Sequence, residues 1–292
     1  MKKTFAFFIG CQIPVRLKHY ETASRAVLNA LDVELVDIPE FNCCGYPLRN
    51  INLKAFMLSS IRNLALAERE GLDLLTLCQC GYGTFRMADY FMTQNTVIRQ
   101  EIQGILAKEG LKYERKIRIT HLLSVLYHDI NVDEIKEKII KPYENFQIAV
   151  HYGCHALRPS NIMAFDNPVA PILFDRLTEI TGAESIDWSA KLDCCGGPLS
   201  GTHDSLSMDF AEKKLESAQK ASARFIVTAC PYCQIQFDTV PKRMEFERGL
   251  DHQIPALLYP QLLGLSMGID TKTLGLDQIR GDINVFQKTL AA

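Results

Sequence analysis

The chain has 292 residues, of which 47% are hydrophobic and 23% are charged, and its formal net charge is −2. This composition is typical of a folded globular protein and excludes an intrinsically disordered chain. The near-neutral charge, without a long basic run, gives no support to a nucleic-acid partner. No stretch reaches the ~20 apolar residues of a membrane-spanning helix, so we expect no direct membrane span.

The first apolar segment, residues 3–9, is interpreted as a buried strand and not as part of a signal peptide. Its apolar run is only about six residues, shorter than the ~7–15 of a signal peptide's apolar region, and it leads to Cys11. Further strands are predicted at residues 33–38 and 72–77. Helices are predicted at residues 18–31, 53–70, 85–108 and 119–128, and Gly71 is expected to cap the second of these.

A polar connector at residues 131–145 precedes a second series of alternating elements. Strands are predicted at residues 147–152, 184–188, 224–228 and 254–259, and helices at residues 168–181, 208–222 and 260–268. The last helix is expected to have Pro260 as its first residue and Gly268 after its end. Alternating strands and helices predict an α/β fold with two pseudo-symmetric, Rossmann-like halves and mainly parallel sheets, in domains 1–145 and 146–292.

The cysteines form one pattern that occurs twice. Each half has a single cysteine, then a Cys-Cys-Gly turn, then a close pair of cysteines. The first set is Cys11, Cys43, Cys44, Cys78 and Cys80, and the second is Cys154, Cys194, Cys195, Cys230 and Cys233. These ten are all the cysteines of the chain. A duplicated unit accounts for this pattern better than chance.

In both halves, two of the cysteine groups follow directly after a predicted strand, and the Cys-Cys-Gly turn follows another. Ligands of parallel α/β sheets lie beyond the carboxyl ends of the strands. The sequence therefore predicts two sites, one in each half, related by a pseudo-two-fold axis.

Three kinds of cysteine chemistry are weighed. Five disulfides are disfavoured because disulfide-rich scaffolds are short and secreted, whereas this large, apolar chain points to a reducing, cytoplasmic location. A structural zinc ion takes four ligands, and each set offers five. A polynuclear iron–sulfur cluster has several irons that need thiolates, so it fits better. A zinc-stabilised binding module remains the alternative.

The chain resembles the cysteine-rich Cys-Cys-Gly domain proteins, and among them the B subunits of heterodisulfide reductases. The resemblance spans about residues 5–268 and is carried by both cysteine sets, by His151-Tyr152-Gly153-Cys154-His155 with Arg158-Pro159, and by residues 254–264. It implies that all ten cysteines bind two non-cubane [4Fe-4S] clusters. It also implies that a disulfide, such as that of coenzyme M and coenzyme B, is split between the clusters.

The resemblance further implies partner subunits. Electrons would arrive through a C subunit with ferredoxin-like clusters, supplied by a flavin-containing A subunit. The chain itself has no Gly-x-Gly-x-x-Gly nucleotide fingerprint and no ferredoxin-type cysteine run. We therefore expect a subunit of a multi-subunit complex that depends on its partners for electrons.

One position departs from the family pattern. The second set ends in Cys-x-x-Cys at Cys230 and Cys233, whereas the first reads Cys78-Gln79-Cys80-Gly81, with glycine where the last cysteine is expected. Cys80 is the candidate substitute. The first-half centre could therefore differ from the second in geometry, cluster type or stability.

Other residues near the cysteines are considered for chemistry and for structure. His151 and His155 are candidate proton donors to a leaving thiolate, or structural histidines, and His203 is a third candidate. Arg49, Arg86 and Arg158 are candidates for binding an anionic group of the substrate, or for surface and packing roles. A structural role is expected for Tyr82, Tyr232 and the four remaining histidines, which are His19, His121, His128 and His252.

Besides the disulfide reductase, two other functions are considered. The same architecture could run in the oxidative direction on thiol or sulfane sulfur, as in heterodisulfide reductase-like sulfur-oxidising systems. It could also serve as a non-catalytic subunit that passes electrons between a partner and a quinone or a dehydrogenase. A substrate pocket between the two cysteine sets would favour the two catalytic functions.

Overall fold

The computed structural model describes residues 3–250 and 254–283, and the strands in this part of the chain form two four-stranded parallel sheets. The strands of the first half are β1 (Lys3–Phe8), β2 (Val33–Val36), β3 (Asp73–Thr76) and β4 (Ile119–His121). Those of the second half are β5 (Gln147–Val150), β6 (Glu184–Ile186), β7 (Phe225–Thr228) and β8 (Ala256–Leu258). The sheet orders are β2-β1-β3-β4 and β6-β5-β7-β8. The predicted α/β fold with two repeated halves is therefore confirmed.

Helices connect and cover the strands in both halves. In the first half they are α1 (Gln12–Arg16), α2 (Lys18–Ala30), α3 (Leu53–Arg69), α4 (Gln79–Gln94), α5 (Thr96–Leu106), α6 (Leu122–Ser124) and α7 (Val132–Glu137). In the second half they are α8 (Cys154–Leu157), α9 (Ser160–Met163), α10 (Leu173–Glu179), α11 (Asp204–Lys220), α12 (Pro231–Gln234), α13 (Val240–Arg248) and α14 (Tyr259–Ser266). Two π-helical segments, Val125–Asn131 and Ile235–Thr239, follow α6 and α12.

Helix α3 illustrates how local sequence signals set the elements. Asn52 caps its first turn, because the side-chain oxygen accepts a hydrogen bond of 2.9 Å from the backbone N–H of Ala55. At the other end Gly71 has φ +67°, the left-handed conformation that follows many helices, as the sequence predicted. Between these signals α3 buries Phe56 and Ile61 against the first sheet.

The two halves share a continuous hydrophobic core. Helix α2 of the first half packs against α14 of the second, and a Cβ atom added at Gly264 would come within 3.2 Å of Val27. Tyr143 also donates a hydrogen bond of 2.8 Å to the carbonyl of Leu262. The two halves therefore pack directly against each other. The domain boundary between residues 145 and 146 remains a prediction.

The helix predicted at residues 119–128 is wrong at its start. Residues Ile119–His121 form β4, which pairs in parallel with β3 through Leu74 and Ile119. The helical turn begins only at Leu122, and a π-helical segment follows it. A three-residue strand leaves no alternation to detect, so its pairing partner decides its conformation.

Several helix boundaries also differ from the predictions. The helix expected at residues 85–108 is two helices, since it begins at Gln79 and Asn95 interrupts it by capping α5. The helix expected from residue 168 begins at Leu173, and the connector contains α7. Pro260 is the second residue of α14, not the first. Within the described residues, no helix combines the length and the apolarity needed to cross a membrane.

Candidate metal centres

The cysteines lie at the carboxyl ends of the strands in both sheets. Cys11 follows β1 and Cys154 follows β5, while Cys78 and Cys230 follow β3 and β7 and occupy the N-caps of α4 and α12. The double cysteines lie in the connections after β2 and β6. Because both sheets have the same strand order, this arrangement occurs twice.

Glycine shapes each Cys-Cys-Gly turn. Gly45 has φ +91° and Gly196 has φ +81°, a region that other residues rarely adopt. A Cβ atom at Gly196 would also lie 2.7 Å from the carbonyl oxygen of Ser207 in α11. The turn therefore packs directly on the following helix, which fixes the direction of the two thiols before it.

The thiols within each half make equivalent contacts. The pKa of Cys43 is lowered to about 2, because the thiols of Cys11 and then Cys44 donate hydrogen bonds to it. The pKa of Cys194 is likewise lowered to about 2, by Cys154 and then Cys195.

Backbone amides add to this stabilisation. Gly45 N–H donates to Cys43 Sγ at 3.5 Å, and Gly196 N–H donates to Cys194 Sγ at 3.4 Å. Both turns therefore favour a thiolate at their first cysteine. Thiolate is the form that binds metals.

The two cysteine sets meet at the junction of the halves. The sulfurs of Cys78, Cys80 and Cys230 all lie within 4.8 Å of one another. Burial alone would raise the pKa of Cys230, but hydrogen bonds from neighbouring thiols, Cys78 and Cys80 among them, hold it well below its usual range. In the second half, Cys195 and Cys233 lie 3.5 Å apart. The ten cysteines thus surround one region at the carboxyl ends of both sheets.

Cys80 points across the junction toward the second half. Its Sγ atom lies 2.8 Å from Nδ1 of His155, and it packs with the buried residues of the second half's cysteine site. At Gly81, where the second half has Cys233, an added Cβ atom would lie 3.4 Å from the Cβ atom of Cys78, an ordinary contact. Thr76 Oγ1 would lie at the same distance, so position 81 has room for a Cβ atom.

A narrow cavity of about 20 Å³, partly open to solvent, lies beside the first cysteine set. Its lining includes Cys11, Cys44, Cys78 and Cys80 from the first half, and Pro231 and Tyr232 from the second. The rings of Tyr46 and Tyr232 are 6.0 Å apart, and the ring of Tyr46 is 5.3 Å from that of His155. Aromatic side chains from both halves therefore border the region where the thiols meet.

The two candidate proton donors occupy different environments. His151 is fully buried, and its Nε2 lies 3.2 Å from Cys233 Sγ. His155 is half-buried beside Cys80 and faces the junction. Burial lowers the pKa of both imidazoles. His203 is exposed, so it lies outside this group.

The three candidate arginines also occupy different environments. Arg86 donates to the carbonyl of Ile162 at 3.0 and 2.7 Å, and Arg158 donates to that of Leu192 at 3.4 Å. Arg49 lies over the ring of Tyr46, with its guanidinium carbon 5.4 Å from the ring centre. Of the three, Arg49 is the one held beside His155 and the junction.

Structural roles account for several other residues. Tyr82 donates to the carbonyl of Met163 at 2.7 Å, His121 is buried, and His19 lies 3.3 Å from Gln278. His128 is exposed. His252 lies outside the described residues.

Two residues at this site were not predicted from the sequence. Gln79 is buried between Cys78 and Cys80, and within the described residues its side-chain amide has no hydrogen-bond partner. A Cβ atom added at Gly153, the residue just before Cys154, would overlap Oε1 of Gln79. Lys214 of α11 is buried as well, and it donates to the carbonyls of Ala190 and Asp193 next to the second double cysteine.

The side chains present fit iron–sulfur centres. The thiols are free, come in two sets of five and converge at one edge of both sheets. The buried ammonium of Lys214 has no carboxylate partner within the described residues, so an anionic group beside it would compensate its charge. A thiolate-bound iron–sulfur cluster is such a group.

Comparisons with known proteins agree with this site. Residues 5–86 and 148–238 match the CCG cysteine-rich domain. The chain is 33% identical, over 94% of its length and 92% of the relative's, to the B subunit of the ferredoxin/F420H2-dependent CoB-CoM heterodisulfide reductase of Methanosarcina acetivorans. It is 32% identical to a protein of Archaeoglobus profundus that is named as similar to the heterodisulfide reductase B subunit, over 91% of both chains.

Another relative carries a different name. The 8-methylmenaquinol:fumarate reductase membrane anchor subunit of Wolinella succinogenes is 32% identical over 95% of this chain and 96% of its own length. Among solved structures, a hypothetical protein from Helicobacter pylori has a TM-score of 0.78 at 18% identity. That match covers 98% of this chain but only 53% of the other, so the chain spans about half of that structure and shares its fold.

Proposed function

This chain belongs to the cysteine-rich CCG-domain family and to its branch of heterodisulfide reductase B subunits, and we propose that it is the catalytic B-type subunit of a heterodisulfide reductase-like complex. The relatives named as heterodisulfide reductase B subunits belong to oxidoreductases that act on sulfur groups. The proposed reaction is the reduction of a small disulfide, such as the coenzyme M–coenzyme B heterodisulfide. The alternative of a sulfur-oxidising enzyme uses the same site in reverse.

The observation that carries this proposal is the meeting of both cysteine sets at one junction. Cys78 and Cys80 of the first half lie against Cys230 of the second, with their sulfurs within 4.8 Å. Two separate surface sites would serve electron transfer equally well. A shared junction is what a disulfide needs, because its two sulfurs must be reached together.

All ten cysteines are proposed to bind two iron–sulfur clusters of the non-cubane [4Fe-4S] type, with Cys80 in place of a cysteine at position 81. When bound, such clusters supply single electrons and a Lewis-acidic iron for sulfur. The backbone amides of Gly45 and Gly196 hold their thiolates in place.

Reduction of a disulfide breaks the sulfur–sulfur bond, consumes two electrons and two protons, and yields two thiols. His155 is proposed to take up a proton from solvent and pass it to a product thiolate, because burial keeps its imidazole neutral and it is the histidine that faces the junction beside Cys80. Arg49 is proposed to bind an anionic group of the substrate, since its guanidinium is held over Tyr46 at the same edge. His151 is proposed to donate a hydrogen bond to Cys233 instead of protonating the substrate.

The partners are proposed to be a C subunit with ferredoxin-like clusters and a flavin-containing A subunit, which together supply the two electrons. The relatives named as B subunits support a multi-subunit assembly. A cytoplasmic location is proposed because ten free cysteines are stable in a reducing compartment.

The test is disulfide turnover by anaerobically purified protein with reduced viologen dye as the electron donor. We expect the heterodisulfide to be reduced to two thiols per pair of electrons, and His155→Gln to lower kcat more than tenfold while iron content stays constant. His203→Gln, an exposed histidine, is the control and should leave kcat unchanged. Iron-loaded protein that reduces no disulfide would contradict the proposed reaction.

A second candidate is an electron-transfer subunit that performs no sulfur chemistry. The Wolinella relative favours it, since a protein of similar length is named as a subunit of a quinol:fumarate reductase. The same assay separates the two candidates. The electron-transfer function predicts viologen oxidation by a quinone or a dehydrogenase partner, and no thiol product from any disulfide.

A further inference from the structure

The matched helices α3 and α11 place different residues beneath the two cysteine turns. Both helices have 17 residues, and Asn63 and Lys214 are the eleventh residue of each. Asn63 Nδ2 donates to the carbonyl of Asn42 at 3.3 Å, and Lys214 Nζ donates to that of Asp193 at 3.1 Å. Each acceptor is the residue just before a double cysteine. The two side chains therefore fill the same place in the repeat, one neutral and one cationic.

Lys214 is an unusual buried cation. Its side chain is 1% exposed, its Nζ lies 4.5 Å from the centre of the Trp188 ring, and within the described residues it forms no ion pair with a carboxylate. Burial lowers the pKa of Lys214 to about 8, while negative charge on Cys195, then on Asp193 and on further second-half thiolates, acts in the opposite direction. The ammonium is thus compensated by the second cysteine set together with Asp193.

A second pair of matched positions also holds a polar residue in the second half and an uncharged residue in the first. His151 stands three residues before Cys154, and its Nε2 lies 3.2 Å from Cys233 Sγ. The corresponding residue before Cys11 is Phe8, whose ring packs in the core against Phe41 and Phe85. At this position of the repeat the second half therefore has a histidine and the first an apolar ring, while Cys80 of the first set has its own histidine partner, His155, at 2.8 Å.

Reduction adds one negative charge to a cluster. A fixed positive charge in a low-dielectric interior stabilises that added charge, and a hydrogen bond to a thiolate does the same. Thiols of both sets have a histidine partner, His151 beside Cys233 and His155 beside Cys80. The buried cation of the second half, in contrast, is replaced by the neutral Asn63 in the first. Building on the proposed function, we propose that Lys214 makes the second-half centre the higher-potential one, so that it accepts the first electron.

The test is a redox titration of the loaded protein, monitored by electron paramagnetic resonance. The wild type is expected to show two reduction steps, and Lys214→Gln should move the upper step to lower potential while the lower step stays. Lys213→Gln is the matched control. That neighbouring side chain is 72% exposed, so removing its charge should shift neither step. Equal shifts in both variants, or none in Lys214→Gln, would overturn the inference.

Variants that lack one centre assign the steps without changing Lys214. The upper step should vanish in Cys195→Ser and persist in Cys44→Ser. This test does not depend on whether Lys214→Gln folds. An upper step that persists in Cys195→Ser would overturn the inference. Iron and sulfide are measured first in the wild type, because protein without iron–sulfur centres would overturn the proposed function and this inference with it. If the iron content is normal but the upper step persists in Cys195→Ser or vanishes in Cys44→Ser, the inference is overturned and the proposed function stands.

Discussion

At the scale of single residues, the positions of the cysteines follow from the sequence, but their directions do not. The repeat predicts which strand end holds each cysteine, and the structure agrees. The side chain of Cys80 turns toward His155 and Cys230, which depends on how α4 and α8 pack. Such directions are set by contacts between distant parts of the chain.

The substitution of Cys80 for a cysteine at position 81 can be tested by rescue. We expect Cys80→Ser to lose iron from the first-half centre, because four cysteines would remain in that set. Adding Gly81→Cys should restore the iron, since an added Cβ atom comes no closer than 3.4 Å to Cys78 Cβ and Thr76 Oγ1, and α4 is helical at this point. Iron and acid-labile sulfide per chain are the measurement.

Gly83→Ala is not a useful control for this rescue, because its Cβ atom would lie 2.7 Å from the carbonyl of His155. Gly104→Cys in α5 is a better one. Its surroundings are open, so it adds a thiol without a metal site and should rescue nothing. Cys80→Ser protein with full iron content would show that Cys80 is not a ligand.

Lys214 shows the limit of sequence patterns. In α11 it follows Lys213, and nothing in the local pattern distinguishes the buried lysine from the exposed one. Burial comes from outside the helix, because the turn before Cys194 folds over Lys214 and offers the carbonyls of Ala190 and Asp193. Local periodicity carries no information about such a covering segment.

At the scale of elements, seven of the eight described strands matched sequence predictions, because their apolar runs end at turn signals or cysteines. Strand β4 was missed. Its three residues form a strand because they pair with β3. In the sequence they continue the apolar helical spacing of the residues that follow them, which predicted a helix. The Cys-Cys-Gly turns were predictable because each turn needs a glycine for two reasons. The backbone has a positive φ there, and a Cβ atom would collide with the next helix.

The contact between turn and helix is a testable property of the second half. Gly196→Ala should destabilise the protein and release iron, because its Cβ atom would lie 2.7 Å from both Ser207 O and Phe210 Cβ. We expect a cost of about 2–4 kcal/mol, from the left-handed backbone and the overlap together. Urea unfolding and iron content measure it.

Gly201→Ala is the matched control, since Gly201 has φ +86° but nothing within 4 Å of an added Cβ atom. It should cost only the backbone term of about 1–2 kcal/mol and retain both centres. Equal losses of stability and iron in the two variants would show that the contact with α11 does not hold the turn.

At the scale of the whole molecule, the two halves are joined through their cysteine-bearing ends. His121 is fully buried, and its Nε2 lies 3.2 Å from the carbonyl of Leu77 and 3.1 Å from that of Ala229. Its Nδ1 accepts a hydrogen bond from Leu123 N–H. The neutral imidazole therefore satisfies groups in both halves, just before Cys78 and Cys230.

This link predicts a dependence of stability on pH. Burial lowers the pKa of His121 to about 4, below the ~6.5 of an unfolded histidine. Its contribution is therefore complete above pH ~6.5 and is lost as the pH falls toward 4. Between about pH 7.5 and about pH 5.5 the loss is about 1 kcal/mol.

Urea midpoints of the wild type and of His121→Asn at these two pH values measure this contribution. The wild type should lose more stability than the variant, whose asparagine can still cap α6 but cannot titrate. His128→Asn, at an exposed position, should behave like the wild type. Identical pH dependence in the wild type and His121→Asn would refute the role of His121.

The central claim is that two iron–sulfur centres face each other across the junction, as the contacts of Cys78 and Cys80 with Cys230 indicate. The most direct measurement is electron paramagnetic resonance of the fully reduced protein, combined with the iron count. We expect two centres whose spectra show magnetic interaction, and loss of that interaction in Cys195→Ser, which retains one centre. Zinc in place of iron, a single centre, or two centres without interaction would contradict it.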